Sequence, residues 1–73
     1  MPPIFTAKEI CRRLKKIWFV QDRQTGSHAV FEKELDNEMI TVIVPMHNWD
    51  CRVWTFMNIL KQARITLDEW NQI

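Results

Sequence analysis

The stretch Thr25-Gly26-Ser27-His28-Ala29-Val30-Phe31 decides how the middle of this chain folds. Gly26 is the only glycine among the 73 residues, so it is the one position whose backbone takes positive φ without steric cost. A hairpin turn needs that freedom. The alternating pattern that follows predicts a strand, and His28 lies at its start beside the turn.

Strands extend from this turn in both directions. Three segments predict strands, and their residues are 18–24, 27–34 and 39–44. On the second strand His28 and Val30 share one face, and the intervening residues share the other. The third is a nearly continuous apolar run, rich in β-branched residues, that Pro45 stops. Because Asp36 and Asn37 supply a second turn, the segments form an antiparallel meander.

Helices are predicted on both sides of the meander. Thr6-Ala7-Lys8-Glu9 reads as a capping box, in which the Thr6 hydroxyl accepts from the Glu9 amide and the Glu9 carboxylate accepts from the Thr6 amide. The helix that follows carries an apolar stripe of Ile10, Leu14 and Ile17. A second helix is predicted to begin near Thr55 as its N-cap. The segment Thr66-Leu67-Asp68-Glu69 repeats the capping-box pattern and opens a short last helix.

The predicted order is α-β-β-β-α with a short helical tail, and it forms one domain over residues 1–73. Two helices on one face of a three-stranded antiparallel sheet make an α+β sandwich, which leaves the other face of the sheet open. No internal repeat, low-complexity segment or linker interrupts this pattern.

Composition excludes several classes of protein. With 47% hydrophobic and 26% charged residues, the chain is expected to be globular rather than disordered. It has no run of about 18 apolar residues, so no membrane partner is expected. The N-terminus lacks the basic-then-apolar layout of a secretory signal, which favours a cytoplasmic protein. Because the net charge is only +1, any contact with RNA has to come from local charge.

Cysteines and histidines are too few and too scattered to predict a metal site. Cys11 and Cys51 form no Cys-x-x-Cys pair, and without secretory cues reduced thiols are expected. His28 and His47 share no ligand spacing with them, so neither a metal nor another cofactor is expected. A Cys–His catalytic dyad is the weakest chemical alternative, because nothing in the spacing brings a thiol near an imidazole.

The first predicted helix carries five cations, which are Lys8, Arg12, Arg13, Lys15 and Lys16. One interpretation of these cations is a solvated helix face. The other is a flank that contacts phosphate groups, and the sequence leaves both interpretations open.

Five segments, in chain order, carry a family resemblance. They are residues 14–20, residues 23–28, residues 44–47, Thr55 with residues 59–63, and residues 66–69. As an ordered set they resemble the HicA family, the small RNA-cleaving toxins of bacterial and archaeal toxin–antitoxin pairs. The resemblance implies a fold like that of double-stranded-RNA-binding domains. It also implies metal-independent cleavage of mRNA through a histidine at the position of His28, and neutralisation by a HicB-type antitoxin.

The chemistry of RNA explains why a histidine is useful at this position. RNA carries its own nucleophile in the 2′-hydroxyl, so a ribonuclease without metal needs a base to take that proton. An imidazole with an ordinary pKa of about 6.5 can do so at neutral pH. Arg23 and Lys33 are candidates for gripping phosphate, and His47 is a candidate for a second acid or base or for shaping the site. The predicted RNA-binding residues are Arg23, Gly26, Ser27, Lys33 and His47.

Three positions depart from the family pattern. Glycine is usual where this chain has Trp18 and Trp54, and it is common where the chain has Arg64. Replacing a loop glycine by tryptophan adds a large apolar surface and removes positive-φ freedom. Tryptophan and methionine beside arginine have the composition of an interface hot spot. The predicted protein-interface residues are Trp18, Trp49, Val53, Trp54 and Met57.

These residues support a second function from another class. In that interpretation the chain is a non-catalytic binding module on the HicA-like scaffold, and its apolar cluster faces a protein partner or a second copy of the chain. The glycine replacements fit deliberate redesign of a natural domain, and they equally fit natural adaptation to an antitoxin. The two functions share one fold and differ in whether RNA or a protein surface is the ligand.

Overall fold

A computed structural model describes residues 5–46 and 52–73 of the chain. Its elements are α1 (Ala7–Lys16), β1 (Val20–Thr25), β2 (His28–Leu35), β3 (Glu38–Pro45), α2 (Val53–Ala63) and α3 (Leu67–Asn71). The strands form one antiparallel sheet in the order β1-β2-β3. The predicted α+β arrangement is confirmed, while its likeness to double-stranded-RNA-binding domains stays a prediction. No helix in the described ranges is long and apolar enough to cross a membrane.

Two-residue turns join the strands. In the first turn, Gly26 has a φ of 56°, and in the second, Asp36 and Asn37 have φ values of 52° and 67°. Asparagine and aspartate tolerate this left-handed region better than other side chains do, so both predicted turns form. The pairing of β2 with β3 runs without interruption to His28 and Pro45, so β3 ends one residue later than predicted. Proline is accepted there because it lies at the end of an edge strand.

The core lies between the helices and one face of the sheet. The buried residues that form it are Ala7, Ile10, Leu14, Phe19, Ala29, Phe31, Ile40, Val42, Val44, Phe56, Ile59, Leu60, Ala63 and Trp70. Alternate residues of β2 and β3 supply the sheet side, as period-two patterning requires. The stripes on α1 and α2 supply the helix side. We call this side of the sheet the covered face and the other side the open face.

The first strand begins at Val20 rather than at Trp18, because Trp18 closes the end of α1. Trp18 has a φ of 77°, and its amide donates to the Lys15 carbonyl at 3.2 Å. The amide of Phe19 donates to the Leu14 carbonyl at 3.0 Å. These two bonds form the Schellman arrangement that ends many helices, in which a residue in the left-handed region follows the last turn.

The prediction that α2 begins at Thr55 is wrong. The Phe56 amide donates to the Arg52 carbonyl at 2.9 Å, so the first helical turn already includes Val53 and Trp54. Arg52 occupies the N-cap position with an extended backbone and no side-chain capping bond. Valine and tryptophan both accept helical dihedrals. The helix can therefore begin before Thr55, through position 54, where a glycine would weaken it.

The two predicted capping boxes have different outcomes. At α3 the Thr66 hydroxyl accepts from the Glu69 amide, and the Glu69 carboxylate accepts from the Thr66 amide at 2.8 Å. At α1 the Thr6 hydroxyl accepts from the Glu9 amide at 3.1 Å, but the carboxylate of Glu9 does not return to Thr6. The carboxylate bonds instead to two arginines of its own helix.

Candidate functional site

His28 is the first residue of β2 and is exposed beside the hairpin turn. It lies opposite Thr25 of β1 and opposite Pro45 of β3. The Ser27 hydroxyl lies 3.5 Å from Nδ1 of His28. The Ser27 carbonyl accepts from the amide of Met46 at 2.5 Å, so the turn is tied to the end of β3. The imidazole is therefore carried by backbone that is bonded on both sides, and one edge of the ring is open to a ligand.

Arg23 shares the open face with His28. It pairs with Val30, which lies two residues beyond His28 on β2, so Arg23 and His28 are diagonal neighbours, about 7–8 Å apart. The register of β1 shifts between Gln21 and Arg23, and this irregularity sets which residues of β1 join the open face. The guanidinium is paired with the carboxylate of Asp22, and both side chains are exposed. An exposed pair of this kind is weak and leaves Arg23 available for a phosphate.

Lys33 is not brought to His28. It lies five residues along β2, which corresponds to about 17 Å of strand, and an odd spacing places it on the covered face. Its Nζ lies 5.5 Å from the centroid of the Phe19 ring, where the ammonium is attracted by the aromatic face. The grouping of Lys33 with His28 and Arg23 in one phosphate site therefore has no geometric support.

Two predicted site residues, His47 and Trp49, lie outside the described residues. Within residues 5–46 and 52–73, no group of three His, Cys, Asp or Glu side chains is arranged to hold a metal ion. The sequence prediction of a site without metal stays a prediction.

Cys11 does not have the surroundings of a catalytic nucleophile. Its Sγ lies 3.6 Å from Sδ of Met46, and the side chain is half-buried against the core. Burial raises the pKa of the Cys11 thiol, and the nearby charge of Lys15 only partly opposes this shift. Because the thiolate is the reactive form, a raised pKa argues against a dyad that uses Cys11. Cys51 lies outside the described residues.

A groove that carries cations runs between α1 and the β1 edge of the sheet. The residues that line it are Thr6, Lys8, Glu9, Cys11, Arg12, Lys15, Gln21, Gln24, Ala29 and Met46. Gln24 and Ala29 face each other across the strands, in the row next to that of Thr25 and His28. The groove therefore reaches the hairpin end of the sheet on its covered side, one residue row from His28, whose side chain lies on the open face. The i, i+4, i+7 spacing of Lys8, Arg12 and Lys15 was the sequence signal for this groove.

The residues predicted to form a protein interface fall into two places. Val53, Trp54 and Met57 lie on α2 and line one shallow depression together with Arg52 and Asn58. Trp54 is 67% exposed, and Val53 and Met57 are also exposed. Trp18 is 80% exposed and lines a different cleft, beside Lys16 and Lys33. We call the first group, residues 53, 54 and 57, the α2 patch.

A sequence model of a known family matches this chain over residues 7–65, and the family is described as the HicA toxin of bacterial toxin–antitoxin pairs. The chain belongs to the HicA toxin family. No curated protein matches the chain. The matched range of the HicA model covers α1, the whole sheet and α2, and it leaves α3 outside. The family resemblance read from the sequence is confirmed, and a toxin of this class has an antitoxin partner.

The structure gives a physical reason for two of the three HicA positions at which glycine was expected. Trp18 and Arg64 each follow the last turn of a helix and have φ values of 77° and 59°. Glycine adopts this left-handed region without steric cost, whereas other residues do so at a cost of about 1–2 kcal/mol. Trp54 is different, because it lies inside the first turn of α2 and has no positive φ.

Proposed function

We propose that this HicA protein cleaves single-stranded RNA with His28 as the general base and without a metal ion. The observation that carries the proposal is the place of His28, which is exposed at a fixed hairpin on the open face of the sheet, opposite the side that packs against the described helices. The substrate expected from the family is mRNA, and such an enzyme works in the cytoplasm. Family membership supports the toxin scaffold, while the reaction itself is the proposal.

In the proposed reaction the imidazole of His28 takes the proton of a 2′-hydroxyl. The 2′-oxygen then bonds to the adjacent phosphorus, and the bond from phosphorus to the 5′-oxygen of the next nucleotide breaks. The leaving oxygen takes a proton from solvent or from a second acid, for which His47 is the sequence candidate. The products are a 2′,3′-cyclic phosphate and a 5′-hydroxyl, and no electrons are transferred.

Neighbouring residues have positioning roles in this proposal. The Ser27 hydroxyl, 3.5 Å from Nδ1, orients the ring so that Nε2 faces the substrate. Arg23, on the same face, stabilises the charge that develops on the phosphate oxygens. Gly26 allows the RNA backbone to approach the turn, because the space around a Cβ at this position is empty.

The test uses a labelled single-stranded RNA in the presence of a chelator. We expect the wild-type chain to cleave it, and His28→Ala to be slower by about 10²–10⁴-fold. Thr25→Ala is the matched control, because Thr25 lies directly opposite His28 on the same face and has no assigned chemistry. RNA with 2′-O-methyl groups should stay intact, because its nucleophile is blocked. Equal cleavage by the wild type and His28→Ala would remove His28 from the mechanism.

A second function is favoured by the α2 patch. Three apolar side chains at positions 53, 54 and 57 share one side of α2, and Arg52 lies beside them. We propose that this surface binds the antitoxin, which the family resemblance describes as HicB-type. A second copy of the chain is the competing occupant, and in that case the module need not be catalytic.

Light scattering over a concentration series separates these two occupants. If the chain is a monomer at every concentration, the α2 patch is free to bind the antitoxin. If the chain forms a dimer that Trp54→Ala dissociates, the α2 patch is the interface between two copies. With a HicB-type partner, Trp54→Ala should weaken association by about 2 kcal/mol or more. Lys61→Ala, on an exposed position of the same helix outside the patch, is the control. Unchanged association in Trp54→Ala would exclude the patch from the interface.

A further inference from the structure

The five cations of α1 do not share one task. Arg13 is used by the fold, because its guanidinium carbon lies 4.6 Å from the Phe5 ring centroid and 5.5 Å from that of Trp70. One of its nitrogens also donates to the Trp70 carbonyl at 3.2 Å. Lys16 lines a different cleft, the one that also contains Trp18 and Lys33. The remaining three, Lys8, Arg12 and Lys15, line the groove that ends near His28.

These three cations form a continuous stripe. Their spacing of four and three residues places them on one side of α1, where they span about 10 Å along the helix axis. The groove has amide side chains on its other wall, since Gln21 and Gln24 lie on β1, the edge strand. Amides donate hydrogen bonds to phosphate oxygens without adding charge. The amide wall and the cationic stripe together suit a chain of phosphate groups.

The groove stays positive when its own carboxylate is counted. Glu9 accepts from Arg12 at 2.9 Å and from Arg13 at 2.9 Å. These hydrogen bonds lower the pKa of Glu9 from 4.5 to about 2, so it is ionised at neutral pH. Among the residues that line the groove, three cations and one carboxylate leave a net charge of +2. This local charge is larger than the +1 of the entire chain.

We propose that the groove between α1 and β1 binds the phosphate backbone of a single-stranded RNA and leads it round the hairpin end of the sheet to His28. The proposal rests on the proposed ribonuclease function, for which it supplies a substrate-binding site. Lys8 and Lys15 contact phosphates directly. Arg12 does so while it remains bonded to Glu9, which fixes its guanidinium in the groove. Of the two interpretations of the α1 cations, the proposal adopts the phosphate-contacting one for three of them.

The direct test measures binding without cleavage. The probe is a single-stranded 2′-O-methyl RNA of about 12 nucleotides, a length within the range that small single-strand binding sites cover. Fluorescence anisotropy gives its Kd for the wild-type chain at several salt concentrations between about 50 and 200 mM. The variant is Lys8→Gln with Lys15→Gln. The matched control is Lys16→Gln with Lys61→Gln, which removes the same charge from exposed positions outside the groove.

We expect the groove variant to weaken binding by about tenfold or more at low salt. Its plot of log K against log salt should be shallower by about 1.4, since each phosphate contact on a single strand contributes about 0.7 to the slope. The control pair should keep the wild-type slope. If both double variants lost the same amount of RNA affinity, the attraction would depend on net charge alone, and the proposal that the groove binds RNA would be wrong. Absence of binding by the wild-type chain at low salt would overturn it as well.

Cleavage assays separate this inference from the proposed function. If His28→Ala abolishes cleavage while the groove pair binds and cleaves like the control pair, the ribonuclease function stands and the groove is excluded. If the wild-type chain binds RNA through the groove but does not cleave it, the groove stands and the catalytic function of His28 is excluded. Both variants replace exposed lysines on helix surfaces, so their melting temperatures should match that of the wild type.

Discussion

The two faces of β2 show how one strand serves two purposes. Ala29 and Phe31 point into the core and are almost completely buried, with the helices above them. On the open face, His28 is exposed, while Val30, two residues further, is only 6% exposed although it lies outside the core cluster. Along β2 the covered face carries Ala29 and Phe31 in the core and then Lys33 against the Phe19 ring, whereas the open face carries the apolar Val30 next to the exposed His28.

Because the two faces of β2 differ in this way, stability and surface chemistry can be varied independently. Within the described residues, the buried set contains no charged or polar residue, so the core on the covered face is stabilised mainly by apolar burial. On the open face, a side chain of β2 can change without reshaping the core, because successive residues of a strand point to opposite sides. An exposed side chain such as His28 can therefore lie next to a small core.

The largest effect is expected on the covered face. Phe31→Ala should lower the free energy of unfolding by about 3–5 kcal/mol, because it removes a fully buried ring from the centre of the sheet. Urea denaturation followed by tryptophan fluorescence measures this loss. Since a chain of this size has little stability in reserve, Phe31→Leu serves as a milder variant with a smaller loss in the same direction. A cost below 1 kcal/mol for the alanine variant would break the distinction between the two faces.

A smaller loss is expected at Val30, the residue that precedes Phe31 on the same strand. Val30→Ala removes two methyl groups from a side chain that is buried outside the core cluster, and we expect a loss of about 1–2 kcal/mol. Denaturation under the same conditions as for Phe31→Ala allows the two faces to be compared directly. If Val30→Ala costs as much as Phe31→Ala, then the open face carries a second core and the comparison fails.

A gain in stability is expected at Trp18, where the backbone is strained and the side chain is mostly exposed. Trp18→Gly should raise the free energy of unfolding by about 1 kcal/mol, because it relieves a φ of 77°. The 80% exposure of the ring means that little burial is lost. Trp54→Gly is the matched control and should destabilise by about 0.5–1 kcal/mol, because it places glycine inside a helix. The two glycine variants should therefore change stability in opposite directions. A loss of stability in both would contradict the conclusion that Trp18 is strained by its positive φ.

The smallest effect is expected in the pH dependence of stability, through Glu9 on the outer surface of α1. Hydrogen bonds from Arg12 and Arg13 hold the pKa of Glu9 at about 2 against an ordinary 4.5, so its ionised form is favoured by folding. This contribution is present above pH 4.5 and is lost as the pH falls towards 2. In Glu9→Gln the melting temperature should vary less with pH across this window. Glu69→Gln, in the other capping segment, is the control. An unchanged pH profile in Glu9→Gln would show that the pairs of Glu9 with the two arginines contribute nothing to stability.

Much of the fold could be predicted from the sequence because the deciding patterns are local. The glycine turn, the Asp-Asn turn and the Thr66 cap each depend on residues within four positions of one another, and the apolar run of β3 is continuous in the chain. The position of His28 followed from the same turn. The errors at Trp18 and Thr55 arose at helix ends, where one residue can either close a helix or continue it.

The order of elements, the turn that carries His28 and the stripes that form the core follow from the amino-acid sequence alone, because spacing along the chain sets which side chains share a face. The tertiary structure set where several charges lie relative to residues distant in the chain. It packed Arg13 against Trp70, placed Lys33 over Phe19, and set three cations of α1 opposite β1 in a groove. These outcomes depend on contacts between residues far apart in the chain, and side-chain charges respond to whichever partner the packing brings near.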